Sequence, residues 1–381
     1  TVITADVLTA TAAGAMTLDT TVNSIDLTTS AAGNIDVDET NAVTLTNITA
    51  ADGSITVDAG AAITVTSVVS STDADANDIS LTTTSGDITV NTINAGSVGD
   101  VNLTSAAAIN DDGSAGTVIT ADVLTATAAG AMTLDTSVNS VDLTTSAAGN
   151  IDVDETNAVT LTSITAADGS ITVDAGGAIG VTSVVSSTDA DTNDISLTTT
   201  VGDITISTVT AGNVGDVNLT SAAAINDDGS TGTVITADVL TATAAGAMTL
   251  DTTVNSIDLT TSAAGNIDVD ETNAVTLTNI TAADGSITVD AGGAITVTSV
   301  VSSTDADAND ISLTTTSDDI TVNTINAGAV GDVNLTSAAA INDDSSAGTV
   351  ITADVLTATA VGGMTLDTTV NSVDLTTSAA G

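Results

Sequence analysis

TVITADVLTATAAG, residues 1–14, opens a stretch that returns at residues 117–130, at 233–246 and, with Val361 in place of an alanine, at 349–362. The copies are 116 residues apart, which divides the chain into repeats 1–116, 117–232 and 233–348 and a partial fourth copy, 349–381. Tandem repeats of this kind build elongated structures whose units contact only their neighbours. We therefore predict one continuous repeat structure over residues 1–381.

A shorter rhythm runs inside each repeat. Triplets of apolar, polar and apolar residues recur, often after glycine, as in Met16–Leu18, Ile35–Val37 and Ile55–Val57. Alternation of this kind indicates a short strand with one buried face. The triplets divide the first repeat into five coils, which begin at Ala15, Asn34, Ser54, Asp78 and Asp100.

Strands this short do not form a stable sheet alone, so successive coils are expected to stack. We predict an all-β chain that forms a parallel β-solenoid, a right-handed β-helix, with about five coils in each 116-residue repeat. Coils of unequal length favour this fold over a left-handed helix built from strict hexapeptides. A β-propeller is the main alternative, although its blades need longer strands and usually carry aromatic residues.

The composition excludes several classes of function. The chain has 49 acidic residues and no Lys, Arg or His, which gives a formal charge of −49, and it lacks Phe, Tyr, Trp, Cys and Pro. Nucleic acids and anionic membrane surfaces are excluded as partners, because both are bound through cations. An enzyme is not expected, since no His, Cys, Lys or Tyr can act as a base or nucleophile. The many Val, Ile and Thr residues indicate an ordered β protein rather than an acidic tail.

Carboxylates follow the apolar triplets of the first three coils. If the coils are in register, Asp19, Asp38 and Asp58 point outwards about 4.8 Å apart, with Asp36 on the same face. Like charges at this distance repel by about 1 kcal/mol even in water, and no cationic side chain offsets them. A Ca²⁺ ion, which prefers oxygen ligands, would do so, and a solvated face screened by salt is the alternative. The later copies of the three column residues are Asp135, Asp154, Asp174, Asp251, Asp270 and Asp290.

A second candidate calcium site is a loop of alternating oxygen-bearing side chains. In the first repeat its residues are Asp73, Asp75, Asn77 and Asp78, and the order Asp-x-Asp-x-Asn is how calcium loops present their oxygens. The glycine and the distal Glu of an EF-hand are absent, so a polar turn between coils is the alternative. The later copies are Asp189, Asp191, Asn193, Asp194, Asp305, Asp307, Asn309 and Asp310.

Outward-facing threonines form a third pattern. Thr44, Thr64 and Thr89 would stack into a ladder that resembles an ice-binding face, although Thr is also a common residue of exposed strands. Asn47 and Asn102 each begin an N-glycosylation motif. The stretch Asn110–Gly113, with its two Asp residues and a glycine, is typical of a turn.

Two coils carry a resemblance to a known family. The stretches GSITVDAG, Gly53–Gly60, and GNIDVDET, Gly33–Thr40, resemble coils of filamentous haemagglutinin-type adhesins. They are also similar to coils of other large β-helical surface proteins of Gram-negative bacteria. The resemblance implies a right-handed β-helix that is exported to the cell surface, and it supplies no catalytic residues.

Two hypotheses about function follow. The first is a structural protein, the shaft of an extracellular filament, sheath or adhesin stalk, which self-associates end to end or laterally. The second is a calcium-dependent cell-surface adhesin whose acidic face contacts a cell surface or a carbohydrate. Near-identical repetition favours the shaft, because reach grows with copy number whereas a binding site needs no copies. The fourth copy stops at Gly381, which predicts that the chain is part of a longer protein.

Overall fold

The computed structural model describes residues 2–113, 116, 118–230, 232–345, 348 and 350–379. Over these residues the chain consists of strands joined by turns, and none of them belongs to a helix long and apolar enough to span a membrane. The chain forms two compact units, Thr1–Thr188 and Asp189–Gly381. In each unit the strands pair in parallel as a β-solenoid, which confirms the predicted fold class.

The first unit is built from short strands and a few longer ones. Its strands are β1 Val2–Thr4, β2 Val7–Ala12, β3 Met16–Thr21, β4 Ser24–Thr29, β5 Ile35–Glu39, β6 Val43–Ala50, β7 Ile55–Ala59, β8 Ile63–Val65, β9 Val68–Ser70, β10 Ile79–Thr83, β11 Ile88–Val90, β12 Ile93–Asn94, β13 Val101–Ser105, β14 Ile109–Asp111, β15 Ile119–Ala128, β16 Met132–Ala148, β17 Ile151–Glu155, β18 Val159–Asp168, β19 Ile171–Ala175, β20 Ile179–Val181 and β21 Val184–Ser186.

The second unit continues the same pattern of lengths. Its strands are β22 Ile195–Thr199, β23 Ile204–Ile206, β24 Val209–Thr210, β25 Val217–Ser221, β26 Ile225–Asp227, β27 Ile235–Ala244, β28 Met248–Ala264, β29 Ile267–Glu271, β30 Val275–Asp284, β31 Ile287–Ala291, β32 Ile295–Val297, β33 Val300–Ser302, β34 Ile311–Thr315, β35 Ile320–Val322, β36 Ile325–Asn326, β37 Val333–Ser337, β38 Ile341–Asp343, β39 Ile351–Ala360, β40 Met364–Thr365 and β41 Thr368–Thr377.

Where the strands are short, a turn of the solenoid contributes one strand to each of three faces. In the first unit β7, β8 and β9 form one turn, and β10, β11 and β12 form the next. Ile55 pairs with Ile79 on the first face, and Ile63 pairs with Ile88 on the second. Equivalent side chains therefore stack one above another at the strand spacing of about 4.8 Å.

The alternation in the sequence becomes an alternation between core and solvent. Ile35 and Val37 are fully buried, while Asp36 between them is exposed. Leu18 is half-buried, whereas its copy Leu134 is 1% exposed. Within the described residues every buried side-chain nitrogen or oxygen has a hydrogen-bond partner. The core is thus a narrow, fully satisfied stack of aliphatic side chains.

The 116-residue repeat does not contain a whole number of solenoid turns. From Met16 onwards, one face of the first unit carries Ile35, Ile55, Ile79, Val101 and Leu124 on the five turns that follow. Met132, the next copy of Met16, does not join this face and instead pairs with Ile109 on the adjacent one. A repeat therefore advances about five turns and one further face, about five and a third turns, which refines the predicted five coils.

The second unit shows the same offset. From Met248, one face runs through to Leu356, and its copy Met364 pairs with Ile341 on the adjacent face. The offset arises at the join between repeats, where a long strand serves two faces. In β15 of the first unit, Ile119 continues the face of Ile93 while the far end of the strand continues that of β13. Copies of a residue in successive repeats thus lie a third of a turn apart around the core.

One corner of the third repeat has an unfavourable backbone. Gly86 and Gly202 have φ values of 79° and 89°, and Asp318 occupies the equivalent corner with a φ of 65°. A left-handed backbone costs a residue with a Cβ about 1–2 kcal/mol, whereas glycine adopts it freely but loses more entropy on folding. We expect Asp318→Gly to raise the free energy of unfolding by about 0.5–1 kcal/mol, measured from the urea midpoint. Gly202→Asp should lower that midpoint, and a lower midpoint for Asp318→Gly would contradict the prediction.

Candidate functional site: the acidic columns

The predicted columns of carboxylates are present and in register. Asp19 pairs with Asp38 and Asp38 with Asp58, and the column then continues into Thr82. The three carboxylates are exposed, and Asp36 lies on the same outer surface. We name these three residues the first acidic column. The second acidic column consists of Asp135, Asp154 and Asp174, and the third of Asp251, Asp270 and Asp290.

The second and third acidic columns have additional members in the stretch Asn110–Gly113 and its copy, where the sequence predicts a turn. Because of the extra third of a turn, the end of one repeat lies beside the start of the next column. Asn110 pairs with Thr133, which places Asp111 and Asp112 one turn before Asp135. In the next repeat the copies of these residues have the same relation to the third acidic column. The second and third acidic columns therefore each include acidic residues from both sides of a join between repeats.

Two of the columns line open grooves on the surface. The third acidic column lines a groove of about 660 Å³, together with Asp227, Glu271 and Gly292. The first acidic column lines a groove of about 550 Å³, together with Glu39 and Gly60. Hydroxyl groups of threonines complete both linings. The grooves offer many oxygen atoms and no positive charge.

Burial and mutual repulsion disfavour the ionised form of Asp135 and Asp251, the half-buried residues of the second and third acidic columns. Burial raises the pKa of Asp135, and the charges of Asp111 and Asp154 raise it further. Burial also raises the pKa of Asp251, and the nearby Asp227 adds to the shift. Since the chain has no Lys, Arg or His, this repulsion is relieved only by protons, by salt or by bound cations.

A buried carboxylate stands behind each column. The Glu39 side chain is 4% exposed, and its Oε2 accepts hydrogen bonds from Thr20 Oγ1 at 2.7 Å and from the Val22 amide at 3.0 Å. Its Oε1 accepts one from the Asn41 amide at 2.9 Å. Glu155 and Glu271 repeat this arrangement. These carboxylates close a corner of the turn and do not belong to the outer acidic surface.

The loop that was the second candidate calcium site forms hydrogen bonds to the following turn. Asp73 Oδ1 accepts hydrogen bonds from the amides of Ser97 and Val98 at 2.8 and 2.9 Å. Hydrogen bonding from Ser97 and Val98 lowers the pKa of Asp73. The Asn77 side chain is buried, and its amide group donates a hydrogen bond to the Asp52 carboxylate. This part of the loop is thus a brace between turns.

The other residues of the predicted loop are divided between turn contacts and solvent. Asp78, Asp194 and Asp310 each accept a hydrogen bond from the amide of an Asp in the next turn. Asp189 and Asp305 hold the following loop as Asp73 does, and Asn309 repeats Asn77. The remaining members are the exposed Asp75, Asp191 and Asp307 and the buried Asn193.

The geometry offers no ready-made metal cage in the part of the chain that the structure describes. No group of three or more Asp or Glu residues there is arranged to hold an ion. The outer columns present carboxylates side by side at the strand spacing, which suits a loosely held or bridging cation better than an enclosed one. Calcium binding by the columns and by the loop stays a prediction.

The threonine ladder and the glycosylation motifs are only partly regular. Thr44, Thr64 and Thr89 stack in register, and the ladder ends at Asn110 on the next turn. Asn47 is half-buried and donates its amide to an Asp of the preceding turn. Asn102 is exposed. Ice binding and glycosylation therefore stay predictions.

Comparison with known proteins adds no further constraint. No protein-family model matches the chain. Searches of curated proteins and of solved structures also give no significant match.

Mild acidification should stabilise the protein. Carboxyl groups whose pKa is raised include Asp100, Asp135, Asp152, Asp216, Asp251, Asp268, Asp270 and Glu271. Partial loss of hydration is the largest cause in each, although Asp152, Asp268 and Asp270 keep exposed side chains. Their contribution to stability is present below the ordinary pKa, 3.8 for Asp, and is lost as the pH rises through the raised value. We expect the urea midpoint to rise from neutral pH to about pH 4 at constant ionic strength.

Further acidification should reverse the trend. The lowered pKa of Asp73 and of Asp189 means that their contributions are lost as the pH falls through those lowered values. The double variant Asp152→Asn, Asp268→Asn removes two of the groups with a raised pKa and should flatten the rise. A midpoint that falls steadily from neutral pH downwards would show that repulsion between carboxylates does not control stability.

Proposed function

We propose that the chain is the shaft of an extracellular filament, sheath or adhesin stalk. The observation that supports this is the continuity of strand pairing through the join between repeats. Val101 pairs with Leu124 and Leu124 with Val141, so one face crosses from the first repeat into the second without a break. A further repeat is thus accommodated by the same contacts. Such a design converts copy number into length.

The cell surface is the location that best suits this shaft, in the manner of the filamentous haemagglutinin-type adhesins that its coils resemble. The narrow aliphatic core, without aromatic residues or cysteine, supports a structural role rather than a catalytic one. The acidic outer surface supports solubility and is unsuited to nucleic acids and anionic membranes. We propose no catalytic reaction for the chain.

The shaft function is tested by varying the number of repeats. Chains with two, three and four complete repeats should differ in length by about 26 Å per repeat, because each repeat adds about five and a third turns at about 4.8 Å per turn. Electron microscopy and small-angle X-ray scattering measure this increment. The unfolding midpoint should change little once three repeats are present. A globular particle whose maximum dimension does not increase with repeat number would rule out the shaft.

Self-association is part of the proposed function. A parallel stack ends in a strand whose amide and carbonyl groups have no neighbour, and such edges pair readily with another chain. End-to-end association would therefore extend the stack, while lateral association would place acidic surfaces together and need salt or cations. Sedimentation at rising ionic strength separates the two modes, since only lateral association should strengthen steeply with salt.

The second candidate function is a calcium-dependent cell-surface adhesin. The acidic columns favour it, because they place carboxylates of successive turns in register with no positive side chain near them. A Ca²⁺ ion that bridges neighbouring carboxylates would relieve the repulsion and leave coordination positions for a carbohydrate or a cell-surface group. The outer columns would bind the metal, and the buried Glu residues would keep their structural hydrogen bonds.

Calcium should stabilise the folded chain if this second function is correct. An ion that binds only the folded state adds RT ln(1 + [L]/Kd), about 2.7 kcal/mol at a hundredfold excess over Kd. Chelation should lower the unfolding temperature in dilute buffer, and CaCl₂ should restore it better than NaCl of equal ionic strength. Asp154→Asn with Asp174→Asn disrupts one of the three acidic columns and should reduce the excess effect of calcium, whereas the loop variant Asp75→Asn should leave that effect unchanged. Equal rescue by the two salts would indicate screening alone.

A further inference from the structure

The stretch Asn110–Gly113 and its copies contain a chemical feature that the proposed shaft does not use. In the first repeat Asp111, Asp112 and Gly113 follow one another at the end of β14. Asp112 and Gly113 are exposed, and a Cβ added to Gly113 would meet nothing within 4 Å. The backbone at this Asp–Gly bond therefore has space to rearrange.

The preceding carboxylate is aimed at the glycine amide. The Gly113 amide donates a hydrogen bond to Asp111 Oδ1 at 2.5 Å. The carboxyl group of Asp112 accepts a hydrogen bond from the Asn91 side chain. A base is thus in contact with the nitrogen, and a donor is in contact with the neighbouring carboxyl group. These are the two aids that attack of an amide nitrogen on a carboxyl carbon requires.

The second repeat has the same arrangement. The Gly229 amide donates to Asp227 Oδ1 at 2.7 Å, and Gly229 also has nothing within 4 Å of an added Cβ. The carboxyl group of Asp228 accepts hydrogen bonds from Ser230 and Ser207. Asp227 is thus the base, the Gly229 nitrogen the nucleophile and the Asp228 carboxyl group the electrophile. Serines replace the asparagine of the first repeat as hydrogen-bond donors.

The third repeat differs at the position of the nucleophile. Asp343 Oδ1 accepts a hydrogen bond from the amide of Ser345 at 2.7 Å, so the base is retained. Ser345 has a φ of 62°, close to the 73° of Gly113 and the 71° of Gly229. Its Cβ hinders the approach of its amide to Asp344, because only glycine moves freely through these backbone conformations. The third repeat is therefore an internal control that keeps the base but lacks the glycine.

The remaining Asp–Gly pairs are held between turns. Gly53 is buried, and a Cβ on it would lie 2.6 Å from the carbonyl oxygen of Gly33. Asp52 accepts a hydrogen bond from the Asn77 side chain at 2.9 Å. Gly169 and Gly285 are buried in the same way. Rotation of the peptide bond towards the carboxyl group would break the stack at these three sites.

We infer that Asp112–Gly113 and Asp228–Gly229 are sites of spontaneous aspartate isomerisation, at which the folded chain converts an exposed Asp to isoaspartate. The Gly113 nitrogen attacks Cγ of Asp112, the new N–Cγ bond forms and a Cγ–O bond breaks. The amide proton passes to Asp111 and leaves with the carboxyl oxygen as water, and solvent supplies one more proton when Asp112 starts ionised. Water then opens the imide at the α-carbonyl, which leaves the chain linked through the side-chain carbon.

The test uses the intact 381-residue chain. After weeks in neutral buffer, the protein is digested with thermolysin, and peptides are mapped by electron-based fragmentation, which distinguishes isoaspartate from aspartate. An isoaspartyl methyltransferase gives an independent count. We expect isoaspartate at Asp112 and Asp228 to exceed that at Asp344, and at the three buried Asp–Gly pairs, by about tenfold or more, the ratio produced by about 1.4 kcal/mol of barrier.

Three variants separate the geometry from simple exposure. Gly113→Ser should slow reaction at Asp112 by about tenfold or more, to the rate at Asp344, and leave Asp228 in the same molecule unchanged, while Ser345→Gly should make Asp344 reactive. Asp111→Asn should slow reaction at Asp112 and alter its pH profile. In urea the buried pairs should react as fast as the exposed ones. Equal isoaspartate at all Asp–Gly pairs of the folded chain, or none at Asp112 and Asp228, would overturn the inference.

Discussion

Val37→Asp should unfold the turns around it. Val37 is fully buried and lies between Leu18 and Val57 on the neighbouring turns, so the new carboxylate would have no polar partner. Burial of an unpaired charge is among the few changes that cost more than about 4 kcal/mol. We expect a large fall in the urea midpoint and new cleavage by proteases in the first repeat. The effect should decline with distance, because each turn contacts only its neighbours.

Thr104→Asp is the matched control for added charge. Thr104 is exposed and has Thr82 and Thr127 as its partners on the neighbouring turns, so the new carboxylate points into water between two hydroxyl groups. We expect a change within about 0.5 kcal/mol, as for ordinary surface substitutions. Equal destabilisation by the two variants would mean that total charge, rather than the buried position of residue 37, is responsible.

Gly176→Ala should destabilise the protein nearly as strongly. A Cβ on Gly176 would lie 2.0 Å from the carbonyl oxygen of Thr156 on the preceding turn. The Gly176 amide donates to the Glu155 carbonyl at 2.8 Å, so the glycine cannot withdraw without loss of a bond between turns. Forced overpacking of this kind typically costs about 1–3 kcal/mol and more where backbone must move. Thermal unfolding followed by circular dichroism measures the loss.

Gly180→Ala offers a control of identical chemistry. The nearest atom to a Cβ on Gly180 is Thr160 Oγ1 at 3.9 Å, an ordinary contact. The equivalent residues of the first and third repeats are Thr64 and Thr296, which shows that a larger side chain fits this strand. We expect Gly180→Ala to be neutral or to stabilise the protein by about 0.5–1 kcal/mol, since glycine weakens a strand. If Gly176→Ala also proves neutral, the close approach between turns is not a constraint.

Much of the fold and of the outer surface could be predicted from the sequence. Period-2 alternation assigns each residue of a strand to the core or to solvent, which is why Ile35 and Val37 are inside and Asp36 is outside. Near-equal spacing of the triplets then places Asp19, Asp38 and Asp58 in one column. Both inferences depend only on local pattern and on parallel stacking.

The alternation also contained a signal that the sequence analysis missed. Glu39 follows Ile35 and Val37 at the same spacing of two residues, which puts it on the buried side of β5. The hydrogen bonds from Thr20 and Val22 that make this burial tolerable come from the preceding turn. Those partners are far away in sequence, so their presence could not be inferred from the strand alone.

The third of a turn at the join was beyond sequence analysis. Periodicity reveals how often a strand occurs, but it does not give the number of faces or the strand on which a turn closes. The stretch from Asp100 to the next repeat looked like one long coil, whereas the structure divides it between a full turn and part of another. Consequently the local pattern predicts a turn at Asp111 and Asp112 and does not reveal that they lie beside Asp135.

The offset between repeat and turn has a consequence for how the acidic columns are displayed. Within each unit, the copy of a residue in the next repeat lies about a third of a turn further around the core. Equivalent residues of successive repeats therefore face different directions. A flat partner that contacts one copy of a column cannot reach the next copy from the same side.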